Sequence, residues 1–482
     1  MADPQAPDAG RTRWWAAGVV LALAAATSLA FSTTRRGSVL GETWALLADI
    51  GGMWVAWAVA LACLLRAGLT GRQLLVVVLL GGAALRIAAM TVVVPLSDDL
   101  YRYAWDGSVQ AAGVSPYRYA PAEAGDVEAL ADRRTDWLFP DAVEGGDTCE
   151  LIRRGDDCTR INRPDVRTIY PPVAQAWFLA GHLAGASQLR DLGWQVVALV
   201  PDVGTCVLLW LVLVRSGRDP RWVAAFAWSP VAVLEGVQNA HVDGLATFFV
   251  VLAVALAGRR PAASGAALGA AAMVKLYPAL LLPVLLARRP LRVGTAFVAV
   301  CAVSYLPHVL ATGGDVLGFL PGYLEEEEYT GGRFLLLAPL GLPDLLATAV
   351  VALAAVAVAV RVLLVARRTR FESPGAVGVE LAPAACLLLG AALLLGSPVQ
   401  PWYGLPLVAL AALAARPVWF VVPALAYPVF FVVIDRGPSE TTTQVGSAGY
   451  LLALALVLLD AWRRRRAGAA AAAPHGAHRG SA

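Results

Sequence analysis

Two carboxylates stand side by side in Ser97-Asp98-Asp99-Leu100-Tyr101-Arg102-Tyr103-Ala104-Trp105-Asp106, directly after a long apolar run. Adjacent carboxylates at an apolar boundary are costly to desolvate together. Each raises the proton affinity of the other, which suits one of the pair to proton abstraction as a general base. Past Asp99, the residues Tyr103, Asp106 and Gln110 recur at helical spacing. Tyr101, Tyr103 and Trp105 are aromatics of the kind found at lipid headgroup level. The local expectation is a short surface helix that points its carboxylates at the membrane and anchors itself by its rings. An ordinary interfacial loop with an aromatic belt would read the same way.

Four further clusters carry polar chemistry between apolar runs. Asn239, His241 and Asp243 follow closely on Glu235 at the turn of a short helical hairpin, and ionisable residues so near spans are functional candidates. A hydrated turn is the plain alternative. Lys275, in Met273-Val274-Lys275-Leu276-Tyr277-Pro278, is a compact positive charge suited to a phosphate, or a side chain snorkelling to the surface. Arg86, inside the third apolar run, invites the same two readings. Tyr170-Pro171-Pro172-Val173-Ala174-Gln175 places proline in the first turn of a helix. Ser397-Pro398-Val399-Gln400-Pro401-Trp402-Tyr403 offers rings that could line a lipid-carrier groove or serve as belt residues.

The elements that must position these residues are membrane spans. The chain has 482 residues, of which 58% are hydrophobic and only 15% charged. A soluble chain of this length could not hide so much apolar surface. The net charge of +3 is too small to indicate a nucleic-acid partner. Apolar runs at 14–31, 44–65, 73–94, 191–214, 221–236, 243–258, 262–275, 276–287, 293–311, 344–366, 378–396, 402–415, 417–434 and 446–462 give an all-α bundle of roughly 12–14 spans. The first is read as a retained span rather than a signal peptide. With the N-terminus inside, the short inside loops are rich in arginine, as the positive-inside rule requires; the loop with Arg35 and Arg36 falls outside and is the one short exception. Both termini then face the cytoplasm and all five clusters fall on the outer face. Pro171–Ala186 is read as a helix at the outer surface, because a full span there would reverse every later loop. The division expected is 1–72 for the N-terminus and two extra spans, 73–410 for a catalytic membrane core with outer loop 95–170, 411–462 for C-terminal spans, and 463–482 for a disordered cytoplasmic tail. Cys149 and Cys158 both lie in the long outer loop, where an oxidising exterior favours a disulfide. Two thiols with no nearby His make a poor zinc site.

Taken together, Asp98-Asp99, Ser115-Pro116-Tyr117, Thr168-Ile169-Tyr170-Pro171-Pro172, Trp228-Ser229-Pro230, Asn239 to Asp243 and Lys275-Leu276-Tyr277-Pro278 resemble the GT-C superfamily of membrane glycosyltransferases. Their order is similar to glycosyltransferase family 87 and its relatives that use polyprenyl-phosphate mannose. The resemblance covers residues 73–410. It implies an inverting transferase in the cell membrane with an extracytoplasmic active site, no metal and no cofactor. The donor would be a polyprenyl-phosphate hexose, commonly mannose, and the acceptor a glycolipid, lipoglycan or polysaccharide. Asp99 best matches the base, with Asp98 beside it. Lys275, with Arg102, is expected to stabilise the leaving phosphate, and Tyr170, Gln400, Trp402 and Tyr403 to line the donor's path. Asp106, Asn239, His241 and Asp243 are expected to bind substrate. The competing reading is a transporter or flippase of a lipid-linked or small polar substrate, which would also have broken helices and buried charges. Such proteins tend to carry internal repeats with midplane sites, and no repeat is evident here.

Overall fold

A computed structural model describes residues 9–36, 42–69, 71–91, 96–126, 133–139, 153–154, 157–287, 289–320, 322, 334–369, 377–397, 399–437 and 439–472. The expected all-helical polytopic bundle is what these residues form. The one strand pairing among them is a two-residue antiparallel ladder, Arg153–Arg154 against Asp157–Cys158. Nine helices among the described residues are long and apolar enough to cross a membrane, or ten if one bent pair counts as a span. This is a multi-pass membrane protein. The count is below 12–14 because several short runs do not form full-length helices. Residues 221–236 break into the Pro220–Trp222 turn, the helix Val223–Ala227 and a π-helical segment, Ala232–Gln238. Residues 276–287 form the turn Tyr277–Leu281 and the single helical turn Leu282–Leu285. The helix at Leu405–Ala414 is only 10 residues long. Cys149 lies outside the described residues, so the expected Cys149–Cys158 bridge does too.

Leucine, isoleucine and valine on the long helices face outward as well as inward, as a lipid solvent requires: Leu21, Leu80, Ile87, Leu310 and Leu345 are all exposed. The inner packing is more selective. Trp57, on the second helix (Thr43–Arg66), donates through Nε1 to the Ala225 carbonyl at 3.1 Å. Trp228 donates to the Val78 carbonyl on the third helix (Gly71–Met90) at 3.2 Å. The second and third spans are thereby packed against the broken-helix region.

Arg86 is neither snorkelling nor at a phosphate site. Its guanidinium forms a bidentate pair with Asp202 of the Arg190–Arg215 helix, at 2.6 and 2.8 Å, and also donates to the Gly82 and Ala227 carbonyls. Both side chains are buried. Such a pair costs desolvation of both ions, so its presence stabilises little, whereas removing one partner strands a buried charge. Arg86→Met is expected to destabilise the protein by about 3–5 kcal/mol, and the double change with Asp202→Leu to recover most of that. Thermal unfolding midpoints of the three variants in one detergent check this; a double variant no more stable than the single would contradict it.

Two short helices stand apart from the spans, and the acid pair opens the first of them. Asp99–Ala111 follows the third span, and Pro172–Leu183 precedes the Arg190–Arg215 helix. They lie against each other so closely that a Cβ at Gly107 would sit 2.5 Å from the Phe178 carbonyl oxygen. Tyr103 stacks on Phe178 with ring centres 4.4 Å apart. The Asp99–Ala111 helix is therefore not the exposed interfacial helix that its aromatics imply: Leu100 through Val109 are all buried. Its rings pack inside protein.

Candidate active site

Helix breaks bring the polar clusters to one place. The segment Ala232–Gln238 and the helix Asp243–Leu256 meet at a 115° bend. Within it Ala240 takes a positive φ of 52°, which a residue with a Cβ seldom adopts. The Asn239 side chain holds the bend: its Nδ2 donates to Glu235 at 2.9 Å, and its Oδ1 accepts from the Leu96 backbone at 2.9 Å. This ties the bend to the strip of chain that leads into Asp98. A second break follows the Pro261–Ala272 helix, where the Met273 carbonyl accepts from the backbone N–H groups of Val173 and Ala174. The first turn of the Pro172–Leu183 helix, with its orphan donors, is thus docked beside Lys275.

The result is a cavity of about 470 Å³. Asp98, Asp99 and Asn162 form one wall, Lys275 and Tyr277 another, and Tyr170, Gln400, Trp402 and Tyr403 much of the rest. Leu276, Leu320, Phe430 and Ile434 add apolar surface, and Ser97 and Arg163 also border it. Of the residues expected from the sequence, Asp98, Asp99, Lys275, Tyr170, Gln400, Trp402 and Tyr403 meet here.

Several side chains bear on Asp99. Its Oδ2 accepts from Tyr170 Oη at 3.2 Å and from Tyr103 Oη at 3.5 Å, and its Oδ1 accepts from Asn162 at 3.0 Å. Asn162 also donates to Asp98 at 3.2 Å, bridging the adjacent carboxylates. Behind Asp99 lies His241, fully buried between two acids. Its Nδ1 is 3.5 Å from Asp99 and its Nε2 3.3 Å from Glu235, at ion-pair rather than aligned hydrogen-bond geometry. Its ring stacks on Trp402 at 4.0 Å. Burial alone pushes the Asp99 carboxyl up, but His241 first, then Lys275 and Asn162, outweigh it and hold Asp99 well below the usual carboxylate range.

Lys275 is fixed rather than snorkelling. Its Nζ lies 2.7 Å from Asp243 Oδ2, and Tyr277 Oη donates to the other oxygen at 3.1 Å. Asp243 is fully buried at the first position of its helix, where the backbone dipole favours a negative charge. The ammonium stands 4.9 Å from the ring centre of Tyr403, 5.9 Å from Trp402 and 6.0 Å from Tyr170. It is a cation held in place, with aromatic faces on three sides.

Several expected ligands have other partners. Asp106 does not reach the cavity; it accepts from Thr168 at 2.6 Å, Gln175 at 2.8 Å and Arg102 at 3.2 Å, and is fully buried. Burial raises its carboxyl above the usual value, against the pull of Arg102 and the two side-chain donors. The helical spacing from Asp99 is real, but two turns lower Asp106 by about 10 Å along the axis, under the neighbouring helix. Arg102 spends its donors on Asp106 and on the Arg163 and Val166 carbonyls, and does not line the main cavity. Asn239, His241 and Asp243 are also absent from its wall and support the residues that form it. Asn162, Tyr277, Phe430 and Ile434 were not anticipated. Asn162 comes from a polar loop with no periodicity to mark it. Among the described residues, no group of three or more His, Cys, Asp or Glu side chains is arranged to hold a metal ion.

Residues 169–398 match the model of glycosyltransferase family 87. No curated protein and no solved structure matches the chain. The family 87 segment contains Tyr170, Glu235, His241, Asp243, Lys275 and Tyr277. The acid pair and Asn162 precede it, and Gln400, Trp402 and Tyr403 follow it. The family match and the spans together support a membrane glycosyltransferase.

Proposed function

We propose that this protein transfers a hexose, in the first instance mannose, from a polyprenyl-phosphate donor to a hydroxyl group of a glycan or glycolipid acceptor, with inversion, on the outer face of the cell membrane. The observation that carries the reading is that Asp99 and a caged Lys275 face one cavity that also presents a set of aromatic and aliphatic side chains. A lipid-linked sugar phosphate needs those three things: a base, a fixed cation and a greasy exit. The arginine pattern of the loops supports an outward-facing cavity, on the side where nucleoside diphosphate sugars are not supplied.

In the transfer, the acceptor oxygen attacks the anomeric carbon from the side opposite the phosphate. Its proton passes to Asp99 as the new glycosidic bond forms. The anomeric carbon–oxygen bond to phosphate breaks, and its electron pair stays on the departing polyprenyl phosphate. Lys275 meets that growing negative charge with no reorganisation, because Asp243 already holds it in place. Asp99 is a weak base in the ground state, so proton transfer comes late, once bond formation has made the acceptor hydroxyl acidic. The same low proton affinity keeps Asp99 ionised throughout the ordinary pH range.

That state has a measurable dependence on His241. Asp99 must be ionised to accept a proton, and His241 is the main group favouring ionisation. Replacing His241 with Gln is therefore expected to move the acid limb of the kcat/KM profile to higher pH. An unmoved limb would show that His241 does not act on Asp99.

Membranes containing the protein, given radiolabelled polyprenyl-phosphate mannose, are expected to pass label to an acceptor. The same mannose supplied as a nucleoside diphosphate, with polyprenyl-phosphate mannose synthesis blocked, is expected to give none. Label arriving only from the nucleotide sugar would contradict the proposed donor.

A further inference from the structure

Asp99 lies between two chambers, not at the end of one. Beside the main cavity is a narrower space of about 50 Å³. Asp99, Asn162, Arg163, Ile169 and Tyr170 belong to both walls and form the partition between them. Lys275, Trp402 and Tyr403 line only the larger chamber, and Arg102, Arg167 and Phe319 only the smaller. The partition is built under strain. Arg163 takes a φ of 48°, a conformation costly for a residue with a Cβ, immediately before Pro164. This turn sets Asn162 against the acid pair and the Arg163 carbonyl against Arg102. A Cβ at Gly318, at φ 53°, would run into the Thr168 carbonyl, so the chain carrying Phe319 closes tightly on the far wall.

Inverting displacement needs donor and acceptor on opposite sides of the anomeric carbon. If the donor phosphate lies against Lys275, the acceptor must come from the other side of the partition. Three arginines, Arg102, Arg163 and Arg167, and one acidic residue, Asp99, line the smaller chamber. Arg102 is committed to Asp106, which stands behind it. Arg167 makes a contact of 3.1 Å to Asp315, with side chains 40% and 55% exposed. A pair so open to solvent contributes about 1 kcal/mol or less, and a guanidinium can exchange it for a stronger forked contact to a phosphate or carboxylate. This space is much narrower than the main cavity, and Arg163 and Arg167 border it.

We infer that the acceptor reaches Asp99 through this second chamber and carries an anionic group, phosphodiester or carboxylate, that Arg167 and Arg163 recognise at its mouth. The inference rests on the transfer reading above and names the acceptor class for the same site. Arg163 borders both chambers, so Arg167 is the residue that tests it.

Membranes containing the full chain are incubated with radiolabelled polyprenyl-phosphate mannose. Unused donor is destroyed with mild acid, and the labelled product is passed over an anion exchanger at neutral pH. Retention of the label is expected. A neutral labelled product would overturn the acceptor class and leave the transfer reading standing, whereas no labelled product at all would remove both. In the second arm, an acidic lipid extract of the same membranes is titrated as acceptor. Arg167→Gln is expected to raise its half-saturating concentration about tenfold, with that of the donor unchanged. Asp315→Asn, which breaks the same ion pair from its other end, is expected to leave both unchanged. Equal losses in the two variants would show the pair to be structural only and would overturn recognition by Arg167.

Discussion

Asp99→Asn is expected to lower kcat for sugar transfer by about 10²–10⁴-fold, the usual contribution of a general base. The amide fills the same volume and can still accept from Tyr170 and Tyr103, so the fold and donor binding should be kept. The KM for the polyprenyl-phosphate donor should therefore change little. Asp98→Asn is the control. It shares Asn162 with Asp99, but Tyr170, Tyr103 and His241 all bear on Asp99, so its loss should be much smaller. Transfer rates measured at matched protein levels in membranes decide between the two acids. Parental turnover in Asp99→Asn would remove it as the base, and a larger loss at Asp98 would hand the role to its neighbour.

The second large effect is expected at Lys275. Removing one preorganised charge from a site where negative charge develops costs about 10²–10³-fold in kcat. Lys275→Met has a second consequence, because it leaves Asp243 buried and without its cation. That costs about 3–5 kcal/mol in stability by itself. The double variant Lys275→Met with Asp243→Asn separates the two effects. It is expected to regain folded protein, read as thermal midpoint, while remaining inactive. Recovery of turnover along with stability would mean that Lys275 holds the fold and does not meet the phosphate.

How much of this could be read from the chain follows from the range of the interactions involved. Asp98, Asp99, Lys275, Trp402 and Tyr403 announce themselves locally, since charges and prolines between apolar runs are expensive unless they are used. Their meeting in one cavity could be argued from loop charges. The partners that give each residue its character could not. Asn162 reaches Asp99 across 63 positions, and Arg86 finds Asp202 across 116. Neither pair has a periodic signal. Asp106 shows the opposite hazard. Its spacing from Asp99 is correctly helical, yet two turns of helix carry it out of the cavity and under Gln175 and Thr168. The aromatic residues of the same helix match a membrane belt in type, but Tyr103 and Trp105 are sealed inside the protein. Residue type indicates what a side chain can touch; the packing of Asp99–Ala111 against Pro172–Leu183 determines what it does touch. His241 is read from the chain as a possible ligand. The bend at Asn239–Val242 instead puts it behind the acid, stacked on Trp402.

The central claim is that a polyprenyl-phosphate sugar lies in the cavity between Asp99 and Lys275, and photolabelling tests it most directly. A short-chain polyprenyl-phosphate mannose with a diazirine next to its phosphate is irradiated with the purified protein, and the adducts are mapped by mass spectrometry. Adducts are expected on the peptides that carry Lys275–Tyr277 and Gln400–Tyr403, suppressed by unlabelled donor. Suppressible adducts confined instead to the apolar groove between Gly71–Met90 and Arg190–Arg215, where Arg86 and Asp202 lie, would contradict it.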